Sequence, residues 1–177
     1  PDIIDAGHRN GVPVYGTLFF NWSNSIADQE RFAEALKQDP DGSFPIARKL
    51  VDMAKYYGYD GYFINQETTG NLVEPLGEKM RQFMLYTKEY AAKVNHPIKY
   101  SWYDAMTYNY GRYHQDGLGE YNYQFMQPEG DKVPADNFFA NFNWDKAKND
   151  YTIATANWIG RNPYDVFAGL SLIHISE

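Results

Sequence analysis

Five stretches of the chain are nearly continuous in apolar and aromatic residues. They are Val12 to Phe20 (VPVYGTLFF), Gly61 to Gln66 (GYFINQ), Ile98 to Tyr103 (IKYSWY), Asn137 to Asn143 (NFFANFN) and Tyr164 to Leu170 (YDVFAGL). Such runs suit strands buried on both faces of a parallel sheet. Between them the apolar positions fall at helical spacing. Asp28 to Gln38 carries a weak helical pattern. Ser43 to Tyr57 carries a better one, with Ile46, Leu50, Met53, Ala54 and Tyr57 on a stripe, Ser43 as N-cap and Pro45 in the first turn. Pro75 to Val94 is the strongest helix, striped by Leu76, Met80, Phe83, Met84, Tyr90 and Ala91 and ended by Asn95-His96-Pro97. Asp145 to Ile159 reads as a helix broken by Gly160-Arg161-Asn162-Pro163, and Pro1 to Arg9 as the end of one already under way. Tyr108 to Val133 is irregular and rich in Tyr, Gly and Gln. A loop of that length in a compact domain is usually functional.

Strands alternating with helices imply a parallel sheet with right-handed crossovers. A doubly wound sheet is the rival arrangement, but no glycine-rich phosphate turn follows any strand, and Gly117-Leu118-Gly119 lies inside the long loop. The expected fold class is therefore α/β, a partial (β/α)8 TIM barrel. A full barrel needs eight strands and typically about 250 residues. This chain has 177 residues and offers about five of the eight βα units. Residues 1–170 read as a piece of a larger catalytic domain.

Four of the five strands end in a polar or aromatic cluster, and in such a barrel those ends gather at the catalytic rim. The second strand carries the most pointed cluster. Side chains alternate along a strand, so Asn65 and Glu67 share a face and set a carboxamide beside a carboxyl group. A polar strand end that caps the next helix would give the same pattern. Composition favours a cleft. Aromatic residues make up 18% of the chain, with 16 Tyr, and each buried tyrosine hydroxyl needs a partner. Aromatic walls with a few polar groups suit ligands that have apolar faces and hydroxyl edges, such as sugars. A net charge of −7 argues against nucleic acid or an anionic membrane surface as partner. The apolar runs fall well short of a span, so no membrane insertion is expected. Without cysteine there is no disulfide, thiol nucleophile or thiolate metal site, and His8, His96, His114 and His174 lack ligand spacing. Neither a metal nor another cofactor is expected.

The set GTLFFNW, YDGYFINQE, SWYDAM, NFFANFNW and YDVFAGL resembles family 85 of the glycoside hydrolases, the endo-β-N-acetylglucosaminidases, from about Ala6 to Leu170. The strand of Asn65 and Glu67 also resembles the Asp-x-x-Asp-x-Asp-x-Glu motif of chitinases, with Asp60, Asn65 and Glu67 on three of its four positions. Phe63 replaces one Asp and Asn65 another, which favours the endoglycosidase family. A chitinase-like hydrolase and a non-catalytic sugar-binding barrel stay open as alternatives. Ser171 to Glu177 (SLIHISE) departs from the family and resembles translated adapter sequence, so 171–177 reads as a non-native tail left by truncation. The resemblance implies an N-linked glycan or glycopeptide substrate, cut in its chitobiose core.

The chemistry follows from the residue types. Most glycosidases use two carboxyl groups, whereas this strand tip offers one carboxyl and one amide. One carboxyl suffices if the substrate supplies the nucleophile, as a 2-acetamido sugar can by attacking its own anomeric carbon and closing an oxazolinium ring. Glu67 would protonate the leaving oxygen and then activate water. Asn65 would hold the acetamide N–H and orient its carbonyl. The resemblance makes Tyr103 the second partner of the acetamido group. Phe20, Trp22, Trp102, Phe142 and Trp144 are candidates for the sugar-binding surface, with Asn141 and Asp104 as hydroxyl partners.

Overall fold

A computed structural model describes residues 2–170; the tail expected at 171–177 lies outside the described residues. In chain order the elements are α1 (Asp2–Arg9), β1 (Tyr15–Ser23), α2 (Ile26–Ala35), α3 (Pro45–Tyr57), β2 (Gly61–Thr68), α4 (Gly77–Lys93), β3 (Lys99–Tyr103), β4 (Met106–Thr107), β5 (Gly111–Arg112), β6 (Asn137–Ala140), α5 (Lys146–Trp158) and β7 (Val166–Ala168). Each strand expected from the apolar runs is present. β1, β2, β3, β6 and β7 form one parallel sheet in that spatial order. A doubly wound sheet reverses its strand order at a switch point. Here the order follows the chain without reversal, as barrel strands do, so the sheet is a five-stranded segment of a TIM barrel.

The helices cover one face of the sheet, and the core lies between. Phe32 and Leu36 at the end of α2, Leu50, Val51 and Ala54 from α3, and Met80, Phe83 and Met84 from α4 pack against Tyr62, Ile64, Tyr100 and Trp102 of the strands. One local detail differs from the sequence expectation. Ser43 does not cap α3. The helix starts at Pro45, whose fixed φ suits a first turn, with Phe44 at the cap position and no side-chain hydrogen bond there. Gly61 is the first residue of β2, as expected, and a Cβ there would run into the carbonyl of Lys99 on β3. Its lack of a side chain lets β2 and β3 approach at their start. The turn is made by Gly58, which ends α3 in the left-handed conformation at φ 84°.

The third crossover has no α-helix. Between β3 and β6 the chain makes the small β4–β5 hairpin and a 3₁₀ turn at Tyr123–Phe125. This segment takes the place of a helix layer: Phe125 stacks on Trp102 with ring centres 4.1 Å apart, and both rings are fully buried. Leu118, Met126 and Ala135 join the same core. Arg161, just beyond α5, anchors the far end of the loop through the carbonyls of Met126 (2.9 Å), Ala135 (2.9 Å) and Asp136 (2.7 Å).

Candidate active site

β2 alternates cleanly. Tyr62, Ile64, Gln66 and Thr68 are buried toward the helices, while Phe63, Asn65 and Glu67 face the other way and are half-buried. The helix-side set is fixed by its partners: Tyr62 donates its hydroxyl to the Leu50 carbonyl (2.7 Å), and Gln66 closes on Thr68 through both amide atoms. That anchoring commits Asn65 and Glu67 to the concave face. Phe63, Tyr103 of β3 and Phe139 of β6 form an aromatic floor there, with ring centres about 6 Å apart (5.9 to 6.1 Å). Asn65 Oδ1 is buried and meets no donor among the described residues. A buried acceptor without a partner costs stability, and such a group is a candidate for binding a ligand donor.

Glu67 has only 17% of its side chain exposed, and its Oε2 lies 4.0 Å from His114 Nε2. Burial lowers the His114 pKa, the Glu67 charge working against it and Arg112 with it, so the ring is neutral at pH 7 and does not pair with Glu67 as an ion. The His114 ring also leans on Tyr103, 5.8 Å between centres. Tyr103 is 8% exposed. Burial, helped by the charges of Glu67, Asp104 and Asp116, pushes its phenol up to about 12, so it keeps its proton throughout the neutral range. Tyr103 donates to Asn141 Oδ1 (2.9 Å), and Asn141 in turn donates through Nδ2 to Asp116 Oδ1 (2.7 Å).

Of the residues expected at the site, Asn65, Glu67, Tyr103 and Asn141 are therefore gathered on one face. Three aromatic candidates stand at the rim. Trp22 is 72% exposed, with the Arg112 guanidinium 4.5 Å from its ring centre. Phe142 is 46% exposed and leans on Phe139. Trp144 is tied down by its indole N–H to the Gly169 carbonyl (2.7 Å).

Three other candidates face away from the site. Trp102 is fully buried under Phe125 and offers no sugar-stacking surface. Phe20 pairs in register with Gln66, so it points toward the helices, where it packs edge-on against Phe32 at 4.9 Å. Phe19, paired with Asn65, takes the concave side instead. Asp104 is 1% exposed and is no hydroxyl partner. Its oxygens accept from the backbone of Gln115 (3.2 Å), Gly117 (2.9 Å) and Asn141 (3.4 Å) and from the Asn122 amide (3.1 Å). Asp60, the first position of the chitinase-like motif, sits at the opposite end of β2. It accepts from the Val14 N–H (2.7 Å) and meets His8 (2.8 Å), a clasp on the start of β1.

Sequence reasoning missed Phe63, Phe139, His114 and Asp116. The first two were findable, because each lies at even spacing from an assigned residue or its sheet partner. The last two lie in the irregular loop, where no periodicity marks a face. Among the described residues no group of three or more His, Asp and Glu is placed to hold a metal ion, and no helix is long and apolar enough to cross a membrane.

Comparison with known proteins agrees with this geometry. The sequence profile of glycosyl hydrolase family 85 matches residues 1–174. The chain is 26% identical over 172 residues to cytosolic endo-beta-N-acetylglucosaminidase 2 of Arabidopsis thaliana, covering 97% of this chain and 22% of that protein. It is 28% identical over 178 residues to the cytosolic endo-beta-N-acetylglucosaminidase of Gallus gallus, covering 95% of this chain and 21% of the relative. The crystal structure of the glycoside hydrolase domain of Endo-D from Streptococcus pneumoniae R6 superposes with a TM-score of 0.96 at 96% identity, over 97% of this chain and 27% of that one. The chain thus spans about a fifth of the length of the curated relatives it matches. With the sheet order, the rim geometry and a profile match over nearly all its residues, the chain belongs to glycosyl hydrolase family 85.

Proposed function

We propose that this segment supplies the acid/base centre of an endo-β-N-acetylglucosaminidase, cutting the β-1,4 link of the N,N'-diacetylchitobiose core of N-glycans with retention. In this reading residues 1–170 contribute five of the eight βα units of the catalytic barrel. The single observation that carries it is the pair on β2: the buried, unpartnered Asn65 Oδ1 two residues before Glu67 on the same face. A retaining enzyme with its own nucleophile needs a second carboxylate about 5 Å from the acid. Among the described residues, the two carboxylates nearest Tyr103 and Asn141, Asp104 and Asp116, are both engaged, one by backbone donors and one by Lys148 and Asn141. A strand tip with one carboxyl and one amide supports a reading in which the nucleophile is the substrate's own acetamido oxygen.

In the first step Asn65 Oδ1 accepts the acetamido N–H, which turns the carbonyl oxygen toward the anomeric carbon, and Glu67 protonates the departing glycosidic oxygen. In the second, Glu67 takes a proton from the water that opens the oxazolinium ring. The floor of Phe63, Tyr103 and Phe139 excludes water beneath the sugar, and Trp22 and Phe142 supply exposed faces for stacking.

Glu67→Gln, made in an intact protein carrying this segment, keeps size and most hydrogen bonding. Glycan release from an N-glycopeptide is expected to fall by about 10²- to 10⁴-fold, the usual worth of a general acid/base, while glycan binding survives. Hydrolysis within a few-fold of wild type would remove Glu67 from the role.

A further inference from the structure

The geometry points to Asp116, held by Lys148, as a positioning residue that sets the direction of the Tyr103 hydroxyl proton through the Asn141 side chain. The relay is continuous. Lys148 Nζ lies 2.9 Å from Asp116 Oδ2, Asp116 Oδ1 lies 2.7 Å from Asn141 Nδ2, and Asn141 Oδ1 lies 2.9 Å from Tyr103 Oη. Burial alone would raise the Asp116 carboxyl, but the Lys148 ammonium and the Asn141 amide hold it below the usual carboxylate range. Asp116 is thus a carboxylate near neutral pH and offers only acceptors. Asn141 must give it the NH₂ end of its amide, which leaves Oδ1 for Tyr103. Tyr103 must donate to that oxygen, so its site-facing side presents lone pairs. Two acceptors, Asn65 Oδ1 and Tyr103 Oη, then belong to residues that share one sheet face, each one position past the Ile64–Trp102 pair, an arrangement that suits an N–H donor and a ring carbon gaining positive charge.

The loop is built to present Asp116. This residue has φ +58°, left-handed and unfavourable for a residue with a side chain, although Asp tolerates it better than most. The buried Asp104 takes the N–H groups of Gln115 and Gly117, one on each side of Asp116. That double clasp fixes the turn.

This inference rests on the proposed hydrolysis, and its test separates the two. Asp116→Asn keeps the shape but can offer either amide end, so Asn141 is free to turn over. In an intact protein carrying this segment, kcat on an N-glycopeptide is expected to fall at least tenfold with KM within threefold and Tm within a few degrees. Made on a Tyr103→Phe background, the same substitution is expected to cost less than threefold, because its effect runs through the missing hydroxyl. Lys148→Met, which frees Asp116 without touching the amide, is expected to act in the same direction and with the same dependence on Tyr103. Equal losses with and without the Tyr103 hydroxyl would overturn the relay, as would wild-type kcat in a folded Asp116→Asn protein. Neutron diffraction reads the relay without activity. The Tyr103 deuteron is expected on the line to Asn141 Oδ1 in the wild type, and finding it directed into the site would overturn the inference even in a protein that hydrolyses the glycopeptide.

Discussion

Trp102 and Tyr103 are adjacent in β3, and a strand sends adjacent side chains to opposite faces. Trp102 fills the helix-side core against Phe125, and Tyr103 joins the concave face with Asn65 and Glu67. Trp102→Ala is therefore expected to cost stability, about 3–5 kcal/mol for a fully buried large aromatic, and to leave KM unchanged in whatever protein still folds. Trp22→Ala should do the reverse: it is expected to raise KM severalfold and to shift stability by no more than about 0.5 kcal/mol, as for most exposed positions. Chemical denaturation and glycopeptide kinetics on the two variants check both. The same parity argument explains what was legible at this scale. Asn65 and Glu67 stand out because two polar groups at even spacing follow an apolar run. Aromatic identity at a strand end does not tell which face a residue takes, so nothing in residue type alone marks Phe20 and Trp102 as helix-side. Once Gln66 is known to point to the helices, the register Phe20 to Gln66 settles the question.

At the scale of elements, the segment between β3 and β6 does the work of a helix without being one. Its length alone marked it as functional, but nothing periodic announced that Phe125, Leu118 and Met126 would pack as a layer or that Asp104 would be its clasp. Those contacts are made by single residues far apart in the chain, which pattern reading does not join. Burial pushes the Asp104 carboxyl up to about 7, with the surrounding backbone N–H groups pulling the other way. A carboxyl raised from its usual value favours the fold in its protonated form. That contribution is complete below about pH 4 and is lost as pH rises through about 7. Asp104→Asn does not titrate and so carries none of that pH dependence. The Tm of Asp104→Asn relative to wild type is expected to climb between pH 5 and pH 8, and a difference that stays flat across that range would contradict this assignment.

For the molecule as a whole, most of the architecture was legible. Strands buried on both faces leave long apolar runs, the helices between them leave stripes, and the absence of a phosphate turn points away from a doubly wound sheet. The parallel order β1-β2-β3-β6-β7 follows from that alternation. It brings the ends of β2, β3 and β6 to one rim, so that residues from 65 to 141 meet on the Phe63, Tyr103 and Phe139 floor. The central claim is that one carboxyl group acts there and that the substrate provides the nucleophile. If so, Asn65 is needed chiefly before the oxazoline exists, and Glu67 is needed both before and after.

The direct measurement supplies the oxazoline ready-made. Asn65→Ala and Glu67→Gln, each in an intact protein carrying this segment, are given a glycan oxazoline and a GlcNAc acceptor, and the transfer product and its hydrolysis are followed by mass spectrometry. Asn65→Ala is expected to form the transfer product and to hydrolyse it only slowly. Glu67→Gln is expected to do neither well, since no base remains to take the acceptor's proton. A covalent glycosyl-enzyme, or an equal loss of transfer and hydrolysis in Asn65→Ala, would contradict the substrate-assisted account.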